Sequence, residues 1–173
     1  MSGKNSKTMK FTEEILKQIK YVILDADSLN SFQKKTKKLL RYLDKNKLIT
    51  PHQAEFHRLF PAIKRNLNNK EKVLKFLKVC KSNILLKGNT TVIGSPGKIV
   101  INKHASSELA VIGSGDVLAG IITSLVGDKK MSMNEAASAA TWIHGDIAKR
   151  HGRGLISEDL IRGIPSALQR LKK

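Results

Sequence analysis

Cysteine, proline, aromatic and acidic residues are all scarce in this 173-residue chain, and each scarcity excludes something. The single cysteine, Cys80, has no partner for an internal disulfide, so a reducing cytoplasm is the expected compartment. Its neighbours Leu77, Val79 and Ile84 make it read as a small buried apolar residue and not as a nucleophile. No apolar run approaches the ~18 residues of a membrane span. The opening Met1-Ser2-Gly3-Lys4-Asn5-Ser6-Lys7 lacks the apolar stretch of a secretion signal. Only 14 Asp and Glu stand against 32 Lys and Arg, a formal charge of +18 and a pI near 10.2. Such a balance prompts a nucleic-acid reading. Against that reading, the lysines are scattered along every expected helix (Lys34, Lys35, Lys37, Lys38; Lys70, Lys72, Lys75, Lys78), and aromatics are only 5% of the chain. Solvated lysine faces are expected, with at most nonspecific polyanion binding that weakens steeply with salt.

What is present is a pattern of short apolar runs alternating with amphipathic stretches. At 40% apolar content the chain fits one globular domain, residues 11–173, behind a basic tail, residues 1–10, expected to be disordered. Phe11, Ile15, Leu16 and Ile19 give a first amphipathic helix. Tyr21-Val22-Ile23-Leu24 reads as a buried parallel strand delivering Asp25 and Asp27 at its end, where open α/β sheets carry their sites. A lysine-rich helix with Phe32, Leu39, Leu40 and Leu43 inward comes next, then the short run Leu48-Ile49-Thr50, with Pro51 offering His52 on a loop. A turn or two of helix from Ala54 to Phe60 and a helix from Glu71 to Val79, with Val73, Leu74, Phe76 and Leu77 inward, lead to the strand Asn83–Leu86. Thr91–Gly94 and Lys98–Ile101 suggest a hairpin turning at Ser95-Pro96-Gly97. Ser132 and Glu135 have capping-box spacing ahead of an alanine-rich helix reaching about Arg150, stopped by Gly152 and Gly154. A last helical segment from Ser157 is expected to break near Gly163 and Pro165. The sum is an α/β layered fold: a mostly parallel sheet, a β-hairpin and a C-terminal helical layer.

The chemistry centres on Gly113-Ser114-Gly115-Asp116, placed ahead of the helically spaced Val117, Leu118, Ile121, Ile122 and Leu125. A helix N-terminus there carries unpaired N–H groups and roughly half a positive charge, which suits an anion, and glycine lets a phosphate approach the backbone. Asp116, in the first turn, stands where a base could take a proton from an attacking hydroxyl. The same residues also suit an ordinary Gly-Ser loop with an acidic helix cap. Lys87 is either a point charge for phosphate or a solvated lysine after a strand. Asp25, Asp27 and Asn30 also suit a strand-end turn with an N-cap, and His144 beside Trp142 reads as packing.

Four further motifs flank this stretch in order and spacing: Asp25-Ala26-Asp27-Ser28-Leu29-Asn30, Thr50-Pro51-His52, Lys87-Gly88-Asn89-Thr90-Thr91 and Ile143-His144-Gly145-Asp146. Together they resemble the C-terminal part of the ADP/ATP-dependent NAD(P)H-hydrate dehydratases of the ribokinase-like superfamily, from about Tyr21 to Leu171. The resemblance implies a lyase for cofactor repair, in which ADP or ATP with Mg2+ phosphorylates the hydroxyl of hydrated NADH or NADPH and phosphate elimination restores the ring. It implies Asp116 as catalytic base, Lys87, Gly88, Asn89, Thr90, Thr91, Gly113, Ser114 and Gly115 as nucleotide contacts, and His52, Asp25, Asn30 and Asp116 on the substrate side. No protein metal ligand is implied.

Two departures set further expectations. Ala105, Ser106, Val111 and Ile112 stand where the family has Gly, Asn, Thr and Gly, and Ile112 is expected to crowd the nucleotide. The family fold also begins with strands and helices that have no counterpart here, an N-terminally truncated form. The first strand should then be an exposed edge, covered by a homo-oligomer or a separate chain. The alternatives are an inactive relative that still binds nucleotide, a basic binding module on the same scaffold, and a small-molecule hydroxyl kinase of the same fold.

Overall fold

A computed structural model describes residues 3–104, 106–128 and 130–171. Its elements, in chain order, are α1 (Gly3–Gln18), β1 (Val22–Leu24), α2 (Ala26–Asn30), α3 (Thr36–Leu40), β2 (Lys47–Ile49), α4 (Gln53–Leu59), α5 (Asn69–Val79), β3 (Asn83–Leu86), β4 (Thr91–Ser95), β5 (Lys98–Asn102), α6 (Ser114–Gly127), α7 (Met133–His151) and α8 (Ser157–Arg170). A 3-10 turn at Ser107–Leu109 precedes α6.

The described strands form one five-stranded sheet in sequence order. β1, β2 and β3 run parallel, and β4 and β5 close it as an antiparallel hairpin with Ser95 opposite Lys98. Four strands therefore point one way. Side chains alternate across the pleat and split the core in two. Leu24, Ile49, Ile84 and Leu86 face α1 to α5, whereas Leu48, Leu85 and Ile93 face α6, α7 and α8. Phe56, Phe60 and Phe76 pack at tilted and edge-on angles on the first face with ring centroids 5.1 and 5.2 Å apart, and full burial of each such ring is worth about 1.5–3 kcal/mol.

Several expectations change. Residues 3–10, expected as a tail, belong to α1, because Met9 and Leu16 are buried against the sheet; Met1 and Ser2 lie outside the described residues, as does Ala105. The lysine-rich segment after β1 is two short helices, interrupted where Lys34 turns left-handed (φ 67°), although Phe32, Leu39 and Leu43 are buried as expected. On α5, Leu74 faces solvent; the inward stripe is Val73, Phe76 and Cys80, the i, i+3, i+7 spacing of a helix face. α8 runs unbroken through Pro165, because the carbonyl four residues back belongs to solvent-exposed Ile161 and can turn to water, while Gly163 lies flush against Ile147. Not every lysine is solvated either. Lys47 is buried and donates to the carbonyls of Ile19 and Lys20, and Lys72 donates to Gln53. No helix among the described residues is long and apolar enough to cross a membrane.

Candidate active site

The carboxyl ends of β1, β2 and β3 lie side by side because the strands are parallel and in register, and each releases a motif residue there. Asp25 follows β1, His52 follows β2 and Lys87 follows β3. The ladder continues past the strands: Thr50 N–H donates to the Leu24 carbonyl at 3.0 Å, and Lys87 N–H donates to the Pro51 carbonyl at 2.9 Å. Lys87 Nζ then reaches back to Asp25 Oδ1 at 2.8 Å, tying the first strand end to the third.

The N-terminus of α6 closes this end of the sheet. Gly113 is its cap, with φ +82°, a conformation that glycine adopts without the steric cost of a Cβ. Gly115 sits under the ion pair: a Cβ there would meet Asp25 Oδ2 at 3.1 Å and Lys87 Nζ at 3.7 Å. The N–H groups of Gly113, Gly115 and Asp116 have no partner among the described residues, as expected for a first helical turn. Three free donors, an ammonium and the positive end of a 14-residue helix therefore converge. Of these groups, Lys87 and Gly115 border a cavity of about 840 Å³ lined also by His52, Gly88, Asn89, Thr91, Ser114 and His144, with Leu109, Ala110, Val111 and Leu118 as an apolar side.

The remaining motif residues are placed unevenly. Thr91 Oγ1 donates to the Gly88 carbonyl and shapes the loop after β3, while Thr90 lines a neighbouring cavity with Asn68, Asn69 and Lys103. His52 caps α4, its Nδ1 accepting from the N–H groups of Ala54 and Glu55 at 3.0 and 3.4 Å, so its structural role and its place on the cavity wall coexist. Asn30 lies outside the cavity lining, accepting from Arg58 at 3.0 Å. Asp116 is exposed and unpaired among the described residues. It borders a separate apolar groove of about 420 Å³ between α6, α7 and α8, with Val117, Ile161 and Leu168. The first turn of α6 thus stands between two spaces, with Lys87 on one side and Asp116 on the other. Ile112 is 97% exposed and is not among the residues lining the cavity, so it does not narrow that space.

The sequence suggests only a packing role for His144 beside Trp142. It is buried, its Nε2 lies 3.3 Å from Ser114 Oγ, and burial lowers its pKa to about 4, leaving a neutral imidazole in the cavity wall. No signal local to either residue points to this pair. The other motif residues on α7 are structural. Gly145 packs directly under the His104 backbone, and His104 stacks on Trp142 at 5.4 Å. Burial opposes charge on Asp146, but Arg170 and Arg150 outweigh it and hold the carboxyl below its ordinary range, joining α7 to α8. Burial also raises the Cys80 thiol to about 11, as befits an inert core residue. Among the described residues no three His, Cys, Asp or Glu side chains gather as a metal centre.

Residues 3–166 match the family model described as NAD(P)H-hydrate dehydratase. The chain is 39% identical to the ADP-dependent (S)-NAD(P)H-hydrate dehydratase of Neisseria meningitidis over 75% of its length and 45% of that relative's. It is 32% identical to a bifunctional NAD(P)H-hydrate repair enzyme of Moorella thermoacetica over 96% of its length and 33% of that relative's. It thus spans less than half of either. Among solved structures, a ribokinase-like protein of Enterococcus faecalis superposes with a TM-score of 0.79 at 21% identity, covering 94% of this chain and 58% of that one. The ADP/ATP-dependent NAD(P)H-hydrate dehydratase of Bacillus subtilis, co-crystallized with ATP and Mg2+ and soaked with CoA, superposes with a TM-score of 0.71 at 24% identity, covering 94% and 62%. The fold is ribokinase-like.

Proposed function

Because the chain belongs to the NAD(P)H-hydrate dehydratase family, we propose that it acts in nicotinamide cofactor repair, dehydrating hydrated NADH or NADPH with ADP or ATP as phosphoryl donor. The observation that carries this reading is the first turn of α6, with free N–H groups beside Lys87 on one side and Asp116 on the other. The nucleotide phosphates would lie over Gly113, Ser114 and Gly115 with Lys87, Gly88, Asn89, Thr90 and Thr91 around them, and the base against Leu109, Ala110, Val111 and Leu118. His52, Asp25 and Asn30 complete the substrate side of this proposal.

Asp116 takes the proton of the hydrate hydroxyl as its oxygen attacks the terminal phosphorus, while the bond from that phosphorus to the bridging oxygen breaks and releases AMP from ADP or ADP from ATP. Charge growing on the transferred group is met by the amides of the turn and by Lys87. Phosphate then leaves while the neighbouring ring carbon gives up a proton, and the new double bond restores the dihydronicotinamide ring. The Asp25 carboxylate beside Gly115 suits magnesium, which takes one or two protein carboxylates when phosphates supply the other ligands, and would neutralise charge on them when bound.

Among the described residues β1 is paired on one side alone, with Tyr21 exposed beside it. A second copy of this chain or a separate chain covers that edge in this proposal, and the lone buried thiol agrees with a cytoplasmic setting.

The test supplies hydrated NADH, Mg2+ and either ADP or ATP to the purified protein and follows the return of NADH absorbance. The wild type should restore it, and Asp116→Asn should slow it by about 10²–10⁴-fold. If absorbance fails to return but nucleotide still raises the melting temperature, the chain is a nucleotide-binding relative without the activity. If neither occurs, the reading is overturned.

A further inference from the structure

The turn ahead of α6 is held from both sides by hydroxyl groups. Ser114, its first helical residue, is buried, and its Oγ meets Nε2 of His144, thirty residues away on α7. Both residues line the same cavity wall as Gly115. A buried imidazole nitrogen without a partner is costly, so this contact fixes the Ser114 rotamer and with it the start of the helix. On the opposite side, Ser157 Oγ, at the start of α8, donates to the carbonyl of Ile112. The same hydroxyl lies 2.7 Å from where a Cβ on Gly113 would stand, so α8 packs directly on the turn.

This second contact decides which way one peptide plane faces. The Ile112 carbonyl and the Gly113 N–H belong to one planar group and point in opposite directions. With the carbonyl committed to Ser157, the Gly113 N–H remains a free donor and no carbonyl lone pair turns toward an incoming anion. A flip of that peptide would replace a donor by an acceptor and repel phosphate. Glycine at 113 makes such a flip sterically cheap, and so something must prevent it.

We propose that His144 and Ser157 are positioning residues that clamp the Ile112–Gly115 turn in its anion-accepting form. The proposal rests on the reading of that turn as the phosphate site. Neither residue need touch the phosphate: His144 acts through Ser114, and Ser157 acts through Ile112.

Binding of Mg·ATP and of ADP is measured by calorimetry for the wild type, Ser157→Ala, His144→Phe, His144→Gln and the control Ser138→Ala, whose hydroxyl bonds elsewhere on α7. Ser157→Ala and His144→Phe should each weaken nucleotide binding about tenfold, the worth of one net hydrogen bond. His144→Gln, which can still bond Ser114, should recover most of the loss, and Ser138→Ala should match the wild type. In nucleotide-free protein, NMR order parameters of the Gly113 and Gly115 amides should fall in the two weakened variants, while those of α7 and α8 stay unchanged. Ser157, which is only partly buried, keeps the test open if His144→Phe fails to fold. If the wild type binds neither nucleotide, the phosphate-site reading falls while the order parameters still judge the clamp. Unchanged order parameters in Ser157→Ala, or unchanged affinity where the wild type binds, overturn it.

Discussion

At the residue scale the decisive groups are held by partners far away in sequence. Asp25 meets Lys87 across 62 residues, and Ser114 meets His144 across 30. The motifs themselves were legible: Lys87, Gly88, Ser114 and Gly115 all border one cavity. Their partners were not, because a hydrogen bond between two helices leaves no trace in either helix's periodicity. The environment of His144 gives a pH dependence. Burial holds its pKa at about 4 against an ordinary 6.5, so between those values the unfolded chain binds a proton that the folded chain refuses. Its contribution is therefore complete above about pH 6.5 and is lost as pH falls toward 4, roughly 3 kcal/mol in all. Urea denaturation near pH 7 and near pH 4.5 should show a larger acid loss for the wild type than for His144→Gln. Equal losses would contradict the assignment.

At the element scale, local chemistry announced itself where it was local. Ser132 and Glu135 form the reciprocal cap expected of their spacing, and the hairpin turns where Pro96 and Gly97 said it should. Ser132→Ala should cost about 1 kcal/mol and lower the melting temperature by roughly 2–4 °C, without moving nucleotide affinity, since α7's cap and His144 lie at different turns of the helix. Elements were misjudged where tertiary context overrode the local signal. The tail residues became helix because Met9 and Leu16 had a core to enter, and Pro165 was absorbed because the carbonyl it frees lies on an exposed face.

At the scale of the whole molecule, the sheet order and the two cores follow from alternation in Leu48-Ile49 and Ile84-Leu85-Leu86, readable as apolar runs but not as to which residue faces which layer. The charge of +18 is a molecular property as well. Binding to a generic polyanion such as heparin should weaken steeply between about 50 and 200 mM salt; affinity that persists at the higher salt would point to a specific nucleic-acid site. The Lys87–Asp25 pair brings that global charge down to one point. Because the ammonium is engaged before any guest arrives, the anion capture proposed over Gly115 would be an exchange of partners and not the filling of a bare positive hole. Small monovalent anions, offering Lys87 no more than Asp25 already does, gain little from the exchange, whereas a polyphosphate spanning several donors at once can displace the carboxylate. A resident counter-ion thus keeps this one lysine from being occupied by the small anions that the rest of a very basic surface attracts.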